Sequence, residues 1–298
     1  MVFEIFYEYS ILATTLIGSF IGGWIDLKTS EVPDSVPLFI VLSAMLLHIA
    51  NGFLGSGWQT LGWAFGVGLV YLAFGYLMFY SGQWGEADVL LLASIGFAIP
   101  QPLSLLAFNL TFGLTYPLIF LINTFVVGAV YSIVYATVLA FRIDNFWKLF
   151  KAQIVERKRL LKNAAIVIVL AFMGLLFLFQ ELVKFDVSLI YRILFFPFLI
   201  GLIFLLYAFA HTIDKHAFRK IVNAKDLREG DVLANEIPQL KMKGKLFIGL
   251  TVEQIKKIQK IRKTVEIKEG IRYIFTFFLA IVATMLFGNM LLFLLPGI

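Results

Sequence analysis

Eight long apolar stretches run along the chain, at residues 9–25, 36–53, 58–80, 89–110, 116–141, 163–179, 189–210 and 271–295. Roughly 20 consecutive apolar residues make a helix long enough to cross the hydrocarbon core of a bilayer. A segment facing lipid must satisfy its own backbone hydrogen bonds, which leaves helices and closed barrels as spanning structures. Stretches of this length predict helices. The expected fold is therefore an all-α polytopic membrane protein with about eight transmembrane helices. Pro100 and Pro102 interrupt the fourth stretch, so its helix is expected to stop near Ile99. Glu4 and Glu8 precede the first stretch without a basic residue, unlike the start of a cleavable signal sequence.

Composition agrees. The 298 residues are 60% hydrophobic and 15% charged, against about 45–50% and about 25% in soluble domains. One polar stretch, 211–270, breaks the pattern. Within it "GDVLANEI" and "TVEIKEG" read as short strands, and "TVEQIKKIQKI" reads as a helix. Thr251 is the expected N-cap, with Gln254 at capping-box spacing. Ile255, Ile258 and Ile261 form its expected apolar face. This predicts a small α+β module between helices seven and eight. The expected organisation is a membrane core over 1–141, a basic loop over 142–162 and two further transmembrane helices over 163–210. The soluble module over 211–270 and a last transmembrane helix over 271–298 follow.

Eight spans place every second connection on one side. The segments 26–34, 81–88, 142–162 and 211–272 hold 23 of the 25 Lys and Arg residues. The positive-inside rule makes that side cytoplasmic, with both termini outside. The net charge of +6 then reflects loop asymmetry, and nucleic acid is not an expected partner. The loop "RIDNFWKLFKAQIVERKRLLK" reads as a topology anchor. Its amphipathic character also allows a surface helix on anionic lipid heads.

The chain has no cysteine and three histidines. Disulfides, zinc–thiolate sites and cysteine nucleophiles are excluded, and no metal or other cofactor is expected. Chemistry has to rest on carboxylates, hydroxyls, backbone groups or lysine. Asp26 ends the first apolar stretch, one turn after Gly22 and Gly23, small residues that let helices approach closely. Asp88 opens the fourth stretch. Parity of the spans sets both at the same membrane boundary. Taken singly, Asp88 reads as an N-cap and Asp26 as the start of a loop. Taken together they allow a specific chemistry. Two carboxylates a few ångströms apart do not both ionise easily, so one keeps its proton. One then takes a proton from water while the other gives one to a carbonyl oxygen or leaving amine.

Two motifs carry a family resemblance. Asp26-x-Lys28-x-x-x-Val32-Pro33-Asp34 is similar to a pattern of Asp, a basic residue two on, and an aliphatic-Pro-Asn/Asp turn. Gly85-Glu86-Ala87-Asp88 resembles GxGD, with Ala87 where the narrow motif has Gly. In order, about 60 residues apart, they resemble the type IV prepilin and preflagellin (prearchaellin) peptidases, membrane aspartic proteases of the GxGD group. The looser archaeal pattern, Gly-x-hydrophobic-Asp, accommodates Ala87. The resemblance implies an aspartic endopeptidase with catalytic Asp26 and Asp88, and makes 1–141 the catalytic membrane core. Gly85, Glu86, Ala87 and Lys28 become candidates for substrate binding or support. The implied substrate is a pilin-like or archaellin precursor with a short basic leader, cut on the cytoplasmic side of the cell membrane. Without the cysteine-bearing insert of bacterial relatives, cleavage without N-methylation is implied. The last third resembles the C-terminal extension of archaeal members, with Arg272-Tyr273 where they often read Pro-Phe.

Glu86 has two readings, an attractor of the basic leader or an ordinary solvated acid. Lys28 also has two, a group that tunes Asp26 or a marker of the inner face. Asp34 reads as a turn residue. A rival for the whole chain is a transporter or channel using carboxylates in an ion or proton pathway. It calls for polar groups near the bilayer midplane, where the candidates are His48, Asn109 and Asn123. A third class is a non-catalytic assembly protein whose soluble module binds a partner.

Overall fold

The computed structural model describes residues 2–55, 57–103, 115–178, 187–235, 237 and 249–290. Among them the helices are α1 (Val2–Thr29), α2 (Ser35–Leu54), α3 (Gln59–Tyr80), α4 (Glu86–Ala98), α5 (Tyr116–Ala140), α6 (Phe146–Leu178), α7 (Val187–His216), α8 (Val252–Ile261) and α9 (Phe275–Phe287). The strands are β1 (Arg219–Asn223), β2 (Val232–Leu233) and β3 (Thr264–Lys268), forming a small sheet in the order β1-β3-β2. The molecule is a mostly helical membrane protein.

Four helices among the described residues are long and apolar enough to cross a membrane: Phe3–Thr29, Ser35–Leu54, Gln59–Tyr80 and Tyr116–Ala140. The fourth apolar stretch yields a shorter helix than a span over 89–110 would need. Its 13 residues rise about 20 Å, against a hydrocarbon core of about 30 Å. The cause is local. The residue before a proline is disfavoured in helical conformation, and Ile99 turns out of the helix at φ −122°, ψ 74°. Residues 104–110 of that stretch, and 291–295 of the last one, lie outside the described residues.

The chain divides into two compact units. The first comprises 1–134, 227–261 and 270–298. There α1 packs on α2, α4 and α9, and α3 packs on α4. Ile11, Ile40, Leu92, Phe120 and Phe277 are fully buried in its core. Tyr71 is buried with them, and its hydroxyl donates to the Pro117 carbonyl at 2.6 Å, so burial strands no polar group. Leu46, Leu69, Val70 and Leu77 stay exposed, the outward face that a lipid solvent requires. Two glycines let one helix backbone come close to another. A Cβ on Gly23 would stand 2.7 Å from the Cα of Phe275, and one on Gly75 would stand 3.1 Å from the Cα of Val89. Gly23 thus admits α9 against the end of α1, and Gly75 admits the start of α4 against α3.

The second unit comprises 135–226 and 262–269. α6 and α7 pack there, with Ala140, Phe146 and Ile213 buried. The segment expected as a basic loop is mostly helix. α6 begins at Phe146 inside it and runs to Leu178, because Phe146 and the partly buried Phe150 anchor one face while Lys148 and Lys151 lie outside. β1 and β3 pair antiparallel with Ile221 opposite Glu266, and Lys268 meets Asp214 at 2.6 Å.

The capping box of α8 forms as expected. The Thr251 amide donates to Gln254 Oε1 at 2.9 Å, and the Gln254 amide donates to Thr251 Oγ1 at 3.4 Å. Ile255 and Ile258 are buried, but Ile261 is 47% exposed. At 3.6 residues per turn each three-residue step falls about 60° short of a full turn, so Ile261 has rotated off the buried face. Thr251→Ala should cost about 1 kcal/mol of local stability. Faster amide hydrogen exchange confined to α8 is the expected readout.

Candidate active site

Asp88 lies in the first turn of α4, and its position follows from local backbone chemistry. Gly85 precedes the helix in extended conformation, at φ −83°, ψ 167°. Asp88 is three residues further on, and its Oδ2 accepts the Gly85 N–H at 2.8 Å. The expected N-cap role is therefore corrected. Gly85 occupies the cap, and Asp88 reaches back to it from the third helical position. The physics is the same, since a carboxylate satisfies an amide that the helix start leaves free. Asp88 is 8% exposed, and its Oδ1 is buried without a hydrogen-bond partner among the described residues.

Ala87 is helical and has no positive φ. The backbone freedom of glycine is not needed there, so the departure from GxGD carries no strain. Ala87→Gly should cost about 0.5–1 kcal/mol of helix stability, which melting curves check. Glu86 and Gly85 are exposed at the mouth of α4.

Asp26 sits in the last turn of α1 and is 6% exposed. Its Oδ2 accepts the Ile274 N–H at 3.2 Å. This places the entry to α9 directly on the carboxylate, through the approach that Gly22 and Gly23 permit. The charge of Arg272 acts on Asp26, and its Nη1 donates to the Leu27 carbonyl. Lys28 goes elsewhere. Its ammonium is exposed and stands 4.7 Å from the Trp24 ring centroid, a cation–π contact rather than a contact with Asp26. Asp34 is exposed at the head of α2, with its carbonyl accepting the Leu38 N–H at 3.1 Å, as a turn residue should.

The two aspartates come from opposite ends of different helices, and α1 and α4 touch. Their carboxyl groups are close enough to interact electrostatically. An aromatic wall flanks them. Trp84 packs on Tyr273 at 6.1 Å, on Phe277 at 5.6 Å and on Phe125 at 6.0 Å between ring centroids. Tyr273 lies near enough to Asp88 to feel its charge, and its hydroxyl donates to the Thr124 carbonyl at 3.3 Å. A buried apolar surround strengthens each electrostatic interaction inside it. Such a pair can divide acid and base roles over one peptide bond.

Three groups at the site escape a reading of motifs: the Ile274 amide, Arg272 and Trp84. The amide has no side-chain signature. Arg272 had one signal, a lone cation at the head of the last apolar stretch. Trp84 directly precedes the Gly85 motif but matches no part of it.

Comparison with known proteins fits this geometry. Residues 13–133 match the model of the type IV leader peptidase family. That segment contains Asp26, Lys28, Asp34 and the whole Gly85–Asp88 motif. No curated protein and no solved structure matches the chain. Over residues 13–133 the chain is thus similar to the type IV leader peptidase family, aspartic endopeptidases that cleave leader peptides from prepilin-like substrates.

Proposed function

We propose that the chain is an archaeal-type leader peptidase with Asp26 and Asp88 as its catalytic pair. It removes the short basic leader of a pilin-like or archaellin precursor without methylating the product. The observation that carries this reading is the burial of both aspartates within electrostatic reach of each other, with one Asp88 oxygen unpartnered among the described residues. One carboxylate takes a proton from water as the water oxygen attacks the scissile carbonyl carbon. The other donates a proton to the carbonyl oxygen. As the tetrahedral gem-diol collapses, the C–N bond breaks, the first carboxyl group gives its proton to the leaving amine, and a hydroxyl proton returns to the second carboxylate.

The proposal includes eight membrane crossings, with both termini outside and the site at the cytoplasmic face. The grouping of 23 Lys and Arg residues on one set of connections supports that orientation. A precursor helix lying in the membrane then presents its leader junction at the depth of Asp26 and Asp88. Exposed Glu86 draws the basic leader toward the site.

The polar groups that a transport pathway would use are engaged in structural bonds. His48 contacts Tyr7 Oη at 2.7 Å and the Phe97 carbonyl at 2.9 Å. Asn123 donates to Thr284 Oγ1 and to the Gly288 carbonyl, and accepts from the Met290 amide. Asn109 lies outside the described residues.

The test is cleavage of a leader-bearing pilin precursor by membranes containing the protein, run in oxygen-18 water. The product should begin at or just before its apolar segment, and the new carboxyl terminus of the leader should carry the label. Asp34→Asn should cleave normally. An uncut precursor, or a cut leader without label, would refute the reading.

A further inference from the structure

The geometry points to Arg272 as a positioning residue for Asp26, acting through its positive charge. This rests on the reading of Asp26 and Asp88 as the catalytic pair. Arg272 lies outside the segment that matches the family, 13–133, and stands where the C-terminal resemblance often has proline.

Several contacts fix it. The Arg272 carbonyl accepts the Tyr131 hydroxyl at 2.7 Å, which ties its backbone to α5. Its guanidinium donates to the Leu27 carbonyl, the residue after Asp26 in the chain. Two residues beyond Arg272, the Ile274 amide donates to Asp26 Oδ2 at 3.2 Å. Tyr273 between them packs on Trp84, at the edge of the Gly85–Asp88 motif. The segment therefore touches both halves of the site, while its cation is tied to the residue next to Asp26.

That asymmetry has a chemical consequence. Two like carboxylates in one site have no intrinsic reason to take different roles. A cation fixed beside one of them favours negative charge there. Asp26, within reach of the Arg272 charge and bonded by the Ile274 amide, becomes the base that receives the proton of water. Asp88 is held by the Gly85 amide through one oxygen, and the other has no hydrogen-bond partner among the described residues. It becomes the acid. Lys28 does not substitute, because its ammonium lies over Trp24. A purely structural role makes a different prediction. The last carbonyls of any helix need partners, and an arginine on the Leu27 carbonyl supplies one whatever its charge does.

Arg272→Gln and Arg272→Lys in the full-length protein separate the two. Glutamine keeps a donor for the Leu27 carbonyl and loses the charge. Lysine keeps both. With a leader-bearing precursor as substrate, Arg272→Gln should lower kcat by about tenfold or more while KM stays within about twofold, the signature of an interaction that acts in the chemical step. Arg272→Lys should stay within about threefold of wild-type kcat. Melting temperatures of both variants should match. Equal activity in the two variants, at wild-type level or at any common lower level, overturns the inference, as does a rise in KM alone. Asp26→Asn runs in parallel. If it is inactive while Arg272→Gln is not, only the role of Arg272 falls. If Asp26→Asn cleaves normally, the catalytic reading falls and this inference falls with it.

Discussion

Asp26→Asn and Asp88→Asn are each expected to lower kcat for leader cleavage by about 10²- to 10⁴-fold, the range for loss of a general acid or base. Asparagine suits both positions as a probe. Its side-chain oxygen can still accept the Ile274 amide at position 26 and the Gly85 amide at position 88. The hydrogen bonds that place the two groups therefore survive while the ionisable proton is lost. Initial rates at equal amounts of membrane-inserted protein give the answer. Wild-type protein should also show a bell-shaped dependence of kcat/KM on pH, because a pair that shares acid and base duties needs one proton between them. If Asp88 served α4 only as a helix-terminus acceptor, Asp88→Asn would cleave at the wild-type rate.

The second large effect concerns packing. Gly23→Ala sets a Cβ 2.7 Å from the Cα of Phe275 and 2.6 Å from its Cδ2. The first of these is backbone, which no rotamer change relieves. Overpacking of this kind costs about 1–3 kcal/mol. It also has a route to the site. Phe275 follows Ile274, so pushing α9 away from α1 withdraws the amide that Asp26 Oδ2 accepts. Gly23→Ala should lower the melting temperature and reduce cleavage together. Gly62→Ala is the matched control. A Cβ at Gly62 meets nothing within 4 Å, and alanine is favoured over glycine in a helix by about 1 kcal/mol. That variant should be at least as stable as wild type and fully active. Equal behaviour of the two variants would contradict the packing account.

Much of the geometry of the candidate site was legible because it follows from one-dimensional rules. Counting apolar stretches assigned Asp26 and Asp88 to the same boundary, and the structure places their carboxyls within electrostatic reach. Proline chemistry stopped α4 at Ala98, and side-chain spacing gave the capping box of α8. The misses share a physical cause, since each depends on what a segment meets in three dimensions. Asp88 looked like a cap because four apolar residues follow it, but the helix starts earlier, where extended Gly85 supplies the turn. The Ile274 amide lies 248 residues from Asp26 and leaves no trace in residue type. β1 reads Arg-Lys-Ile-Val-Asn, too short and too charged to stand out before β3 pairs with it. The basic stretch after Arg142 looked like a loop because charge sets topology, yet charge on one face does not prevent a helix.

The central claim is that Asp26 and Asp88 act as one catalytic unit, and a double-mutant comparison tests it most directly. Single-turnover cleavage, with enzyme in excess over a leader-bearing precursor, should be measured for Asp26→Asn, Asp88→Asn and the double variant. Groups that act as a unit give grossly non-additive losses, so the double variant should be no slower than the slower single one. Losses that multiply, or near-wild-type cleavage in either single variant, would contradict the account.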